Sequence, residues 1–433
     1  MLSQIISKNF SKKSPIHSKI AVIGGGCASL NFVSQIVKEP GIIPHQIRVF
    51  DSSKLHYYKP AWTMVGGGIY NIKDTVRKNE DLYNKWINFI NLAIVKVLPD
   101  QNLLIAEDGT EYSYEHLIIT SGLQNDFDKI KGAREALDDP EFPAGSIYDY
   151  NYVQKFNELC SDFGGGKAIF TEPPRSQEQS GVPQKIIYLA EGRFVKKGIR
   201  NNTVIEMRKA VDYEFPQPKY SAALETIQKQ KNINIHKNSN LVEVIKDKRT
   251  AIFQNLKTQE LEEVKFDLIH IVPYPKLPQF LNDSPNITDE QGYLDVDMHT
   301  LRHKKYQNIW GIGDCANLPT SKTMPAILSQ TPVVVSNLHH VLSGKGHIDL
   351  PSSYDGYTSC PIFVGDGKLM LIEYKYGYVA CETFMARQDI PSQFFYKLKK
   401  DFFPWAYWNL VPRGIWHGRR TILPAFTKAF TSI

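Results

Sequence analysis

With 433 residues, 42% of them hydrophobic and 22% charged, the chain is long and apolar enough for two or three packed domains and is not a disordered segment. Its formal net charge of +6 is mild for this size, and no basic, aromatic-interleaved module reads as nucleic-acid recognition, so no nucleic-acid partner is expected. The five cysteines (Cys27, Cys160, Cys315, Cys360 and Cys381) lack CxxC or CxH spacing, which argues against a metal site or a disulfide framework, and no run of about 20 apolar residues indicates a membrane-spanning helix.

The first acid in the chain is Glu39; before it come Lys8, Lys12 and Lys13, with Leu2, Ile5, Ile6 and Phe10 on one helical face. Residues 1–18 therefore read as a mitochondrial presequence, a frayed basic tail being the alternative. The apolar strand Ile20-Ala21-Val22-Ile23 then runs into Gly24-Gly25-Gly26, a helical run through Val37 follows, and a second apolar strand, Ile47–Phe50, ends at Asp51. Clustered glycines between a strand and a helix bring bare backbone amides and a helix N-terminus against a pyrophosphate. Gly24 and Gly26 take that part, Ser29 stands where a third glycine is usual, and Asp51, 27 residues after Gly24, suits a ribose hydroxyl. The pattern predicts a dinucleotide site.

Asn88–Asn102 and Glu111–Ile119 read as strands, with Asp108-Gly109 as a hairpin signal between their outer parts. The strand Leu117–Ile119 opens into Thr120-Ser121-Gly122, a turn that either passes beneath a nucleotide or simply ends the strand. A second α/β unit follows: the strand Lys167–Thr171, helix Gln184–Lys196, strand Thr203–Met207, helix Tyr220–Gln230, and strands Asn234–His236 and Leu241–Ile245. Its first strand leads into Glu172-Pro173-Pro174, which withholds the backbone N–H groups that a second nucleotide would need. The first domain is expected to resume near Phe266–Val272. A strand at 309–312 then delivers Gly313 and Asp314, a carboxylate able to accept from a sugar-alcohol hydroxyl, ahead of a helix over Ala316–Pro332.

From Phe394 onward aromatics and cations alternate, and Phe394, Phe395, Leu398, Phe402 and Phe403 would share a helical face. This composition suits a lipid headgroup layer, with a packed C-terminal cap as the alternative.

Five stretches carry a family resemblance: Gly24–Ser29, His56–Gly66, Gly181–Ile186, Asn308–Thr323 and Tyr354–Pro361. Together they resemble the mitochondrial-type sulfide:quinone oxidoreductases, from about Lys19 to the C-terminal aromatics. The resemblance implies an α/β fold of two Rossmann-like domains, that of two-dinucleotide-binding-domain flavoproteins, with a C-terminal amphipathic membrane-associating segment. Residues 19–125 and 265–345 would form the FAD-binding domain, 126–264 a second domain without an NAD fingerprint, and 346–433 a membrane-surface and quinone region. FAD would be held by Gly24, Gly26, Ser29, Asp51, Lys59, Gly122, Gly313, Asp314 and Lys322, with Tyr58 and Pro60 beside its ring system. Cys360 and Lys322 would be catalytic.

In this family a pair of redox cysteines forms the sulfur electrophile that sulfide attacks. One matches Cys360. The other falls at Gln179, and no cysteine lies between Cys160 and Cys315. Expected partners are ubiquinone, sulfide with a small thiol or sulfite as sulfur acceptor, and a membrane surface, placing the chain peripherally at the mitochondrial inner membrane. Two alternatives remain: a catalytically silent homologue serving as a subunit of a respiratory membrane complex, and an NADH:quinone oxidoreductase, which the missing second glycine loop opposes.

Overall fold

The computed structural model describes residues 14–174 and 181–421; residues 1–13 of the presequence reading, and Gln179, lie outside the described residues. Strand β1 (Ile16–Ile23), helix α1 (Cys27–Ile36) and strand β2 (Ile47–Phe50) form the expected βαβ unit. Strand β3 (Asn88–Ile90) lies parallel to β2, and β4 (Glu111–Ile119) parallel to β1, with Ile23 opposite both Phe50 and Ile119. Both faces of this sheet are covered, so Ile20–Ile23 and Leu117–Ile119 are buried without alternation. An antiparallel hairpin, Ile94–Leu98 with Leu103–Ala106, joins the outer half of β4, and the Asp108-Gly109 turn connects the two as expected.

The chain leaves through β5 (Gln124–Asp126) into a second parallel sheet. Its elements in chain order are the short strand Ala144–Gly145, helix α2 (Tyr150–Asp162), β6 (Gly166–Glu172), helix α3 (Val182–Lys196), β7 (Thr203–Lys209), helix Pro218–Gln230 and strand Ile233–Lys237. A three-stranded antiparallel meander over 239–265 follows. Strand β8 (Leu268–His270) does not return to the first sheet, as its apolar run suggests, but pairs in the second, with Ile269 opposite Ile169. A continuous apolar run marks a strand buried on both faces without saying in which sheet. The return crossing is β9 (Tyr274–Lys276), which pairs antiparallel with β5, so the two passages between the sheets form one ribbon.

Strand β10 (Ile309–Gly311) re-enters the first sheet beside the inner half of β4, with Trp310 opposite Ile118. Helix α4 spans Met324–Leu342 and begins eight residues later than the sequence pattern suggests. Pro319 interrupts residues 316–323, and polar side chains there bond outward: Asn317 donates to Asp295 at 2.8 Å and Thr320 to the Gly356 carbonyl at 2.8 Å. Thr323 caps α4 instead, accepting from the Ala326 N–H at 3.2 Å.

Strands β11 (Thr358–Gly365) and β12 (Lys368–Lys375) make an antiparallel pair, and β11 is buried throughout. The C-terminal helical run passes from Gln393–Lys397 through a π-helical turn at Leu398–Phe402 into Phe403–Leu410. The five apolar residues do not share one buried face: Phe394 and Phe395 already part before that turn, at 53% and 1% exposed, and the turn shifts the helical phase of those that follow. Among the described residues no helix is long and apolar enough to cross a membrane.

Candidate active site

A cavity of about 460 Å³ opens at the carboxyl ends of β1, β2, β4 and β10, within the range of sites for organic cofactors. Gly24 makes the turn with φ +97°, and a Cβ there would stand 2.7 Å from the Thr120 carbonyl oxygen, so no side chain fits between the ends of β1 and β4. The Asp51 carboxylate is locked at the cavity edge, accepting from the Gly25 N–H at 2.5 Å and the Ser53 N–H at 2.7 Å. Gly26 caps α1 without any side-chain hydrogen bond, and a Cβ there would meet no protein atom within 4 Å. An uncapped helix start beside such a gap is a cradle for a phosphate.

At the other end stand Gly313, whose N–H donates to Gln330 Oε1 at 2.8 Å, and Asp314. Burial raises the Asp314 carboxyl above the ordinary carboxylate range, while Lys322 and Lys59 pull it back. Lys322 donates to the Ala316 carbonyl at 2.7 Å and lies over the Tyr293 ring. The N-terminus of α4, with Met324 and Pro325, completes this wall.

Strand β11 is fastened to the same wall, since Thr358 Oγ1 donates to the Ser321 carbonyl at 3.0 Å and shares a 2.8 Å bond with the Thr323 hydroxyl. Ser359 and Pro361 face the cavity. Cys360 is buried behind them against the start of α3, where a Cβ on Gly181 would come within 3.1 Å of its sulfur. Lys399, supplied by the π-helical turn, lines the cavity from the C-terminal side and donates to the Pro60 carbonyl at 3.3 Å. Burial, helped by repulsion from Lys185 and opposed by Cys360, lowers its ammonium to about 7.

Gly24, Gly26, Asp51, Lys59, Gly122, Gly313, Asp314 and Lys322 all line the cavity, whereas Ser29 is buried in α1 beneath the loop. Pro60 lines it too, and Tyr58 lies fully buried behind. Trp62, whose sequence context suggests packing, is on the wall, and its indole N–H has no acceptor among the described residues. Sequence reasoning missed Lys185, Lys399 and Tyr407. Cys160 sits in the core of α2, its thiol raised to about 12 by burial and opposed by Arg193 and Lys197. Arg193 follows Gly181 by roughly 18 Å of helix, so Cys160 does not reach Cys360.

The combination of a glycine cradle, an acid at the end of β2 and a second acid at a distant strand end fits the class of dinucleotide-binding proteins. A family model described as pyridine nucleotide-disulphide oxidoreductase matches residues 190–333. The mitochondrial sulfide:quinone oxidoreductase of Schizosaccharomyces pombe is 37% identical over 430 residues, covering 94% of this chain and 93% of that one. In structure, a chain of the Tetrahymena thermophila mitochondrial ATP synthase assembly superposes with TM-score 0.81 at 23% identity, covering 93% of this chain and 98% of that one. The Aquifex aeolicus sulfide:quinone oxidoreductase superposes with TM-score 0.73 at 16% identity, covering 96% and 94%. The chain belongs to the mitochondrial sulfide:quinone oxidoreductase family. Its cofactor is FAD, which the bare start of α1 and the gap at Gly26 fit.

Proposed function

We propose that this protein oxidises sulfide at Cys360 and delivers two electrons to a quinone, ubiquinone, at the mitochondrial inner-membrane surface. The observation that carries this reading is the placement of the Cys360 thiol directly behind the wall of the FAD cavity and within the field of Lys399. FAD, when bound, supplies a reversible two-electron acceptor. The residues assigned to hold it are Gly24, Gly26 and Asp51 at one end and Asp314, Lys322 and Lys59 at the other, with Gly122 beneath and Ser29 supporting α1. Lys399, when protonated, places a positive charge near Cys360, and a small thiol or sulfite takes the sulfur away. The FAD unit comprises residues 19–125 together with the chain after the β9 crossing. Phe394 and Trp405, both about half exposed beside Lys397 and Lys400, support docking on an anionic lipid surface. Sulfide-driven quinone reduction tests the assignment: wild type is expected to turn over and Cys360→Ser to lose all of it.

Gln179 favours a second reading, a catalytically silent member serving as a subunit of a mitochondrial membrane complex, because the family's ordinary electrophile is a cysteine pair and Cys160 is out of reach. Activity appearing only in Gln179→Cys identifies this case. Rapid flavin bleaching by NADH would instead point to an NADH:quinone oxidoreductase.

A further inference from the structure

Tyr407 lies on the helix Phe403–Leu410, 351 residues after His56, yet the two side chains meet at 2.6 Å between the tyrosine hydroxyl and His56 Nε2. The other ring nitrogen of His56, Nδ1, is 3.0 Å from the Gly25 carbonyl oxygen. A carbonyl can only accept, so Nδ1 carries the proton. Burial lowers the His56 imidazolium to about 4 and keeps the ring neutral; Nε2 is then an acceptor and Tyr407 the donor. The Tyr83 hydroxyl donates to the same Gly25 oxygen at 3.2 Å, filling its second lone pair. On the near side of this residue the Gly25 N–H is held by Asp51.

The Gly25 carbonyl and the Gly26 N–H belong to one rigid trans peptide and point in opposite directions. Turning the carbonyl toward His56 and Tyr83 therefore turns the Gly26 N–H the other way. Between two glycines this peptide would otherwise rotate at little cost. We propose that Tyr407, acting through His56, is a positioning residue for the FAD pyrophosphate, orienting the Gly25–Gly26 peptide from the C-terminal helix. The proposal rests on the FAD reading of the cavity.

Tyr407→Phe keeps the ring, which packs 4.5 Å from that of Tyr58, and removes only the hydroxyl, which meets His56 and also Cys27. The test is titration of apoprotein with FAD, followed by flavin fluorescence and visible circular dichroism, beside thermal unfolding of the same apoprotein. Tyr407→Phe is expected to bind FAD about tenfold more weakly, with altered circular dichroism in the flavin bands. Tyr83→Phe, which leaves the C-terminal helix untouched, is expected to weaken binding in the same direction and carries the test if Tyr407→Phe does not fold. Unchanged FAD affinity in the folded variants, whatever their melting temperatures, overturns the proposal alone. Wild-type apoprotein that takes up no FAD overturns the cofactor reading with it.

Discussion

The two parallel sheets end very differently. At the carboxyl ends of β1 and β4 the chain leaves glycines, an uncapped helix start and a cavity. At the ends of β6 and β7 it places Glu172 and Lys209, and the Lys209 ammonium, fully buried, donates to the carbonyls of Tyr213 and Glu214 at 2.9 Å each. The same ammonium lies 3.3 Å from the Glu214 carboxylate and 3.7 Å from that of Glu172, and Glu214 also accepts from the amides of Gln184 and Gln228. Pro173 and Pro174 follow β6 without N–H groups to offer. Topology provides a crevice at the carboxyl end of any such sheet. Residue chemistry decides whether a ligand or the protein's own charges fill it.

The largest effect that tests this contrast is acidification. His56 and His116 in the first unit are held neutral by burial, at about 4 each, and His270 in the second at about 3. The unfolded chain protonates all three below about 6.5 while the folded chain does not, so unfolding takes up protons and stability falls as pH drops from about 6.5 toward 4. Each contributes about 1.4 kcal/mol per pH unit once the unfolded form is protonated. Urea unfolding at a series of pH values is expected to show this slope, and His270→Phe to reduce it by about one histidine's share. Next comes Glu214→Ala, which leaves the Lys209 ammonium with only the more distant Glu172 carboxylate: a loss of about 3 kcal/mol in urea is expected, with FAD stoichiometry unchanged in the protein that remains folded. If FAD were lost as well, the second strand end would be part of the cofactor site and the contrast would fail. Smaller in stability, but confined to the first sheet, Gly24→Val should cost about 3 kcal/mol of FAD binding, roughly hundredfold, read as flavin absorbance per protein.

Features written in consecutive residues were legible. The turn at Gly24, the acid at Asp51 and the Gly313-Asp314 pair each follow from a short pattern, and all of them line one cavity. The affiliation of β8 was not, because its apolar residues suit either sheet and only the pairing of β5 with β9 decides where the chain crosses. The start of α4 was masked by residues 316–323, which have helix-compatible composition but spend their hydrogen bonds on distant segments. Lys399 sits among Lys397 and Lys400, and nothing local says which of these is buried; the π-helical turn makes that choice. Tyr407 read as a lipid-facing aromatic, since its partner His56 is remote in sequence.

That remoteness has a consequence for how the protein is made. The β1–α1 loop leaves the ribosome early, but Tyr407, which steadies it through His56, follows Gly25 by 382 positions (407 − 25), which at about 5–20 residues per second is roughly 20–75 s of synthesis. On the positioning role proposed for Tyr407, a polypeptide that ends before the C-terminal helix would complete its first sheet and hold flavin about tenfold more weakly.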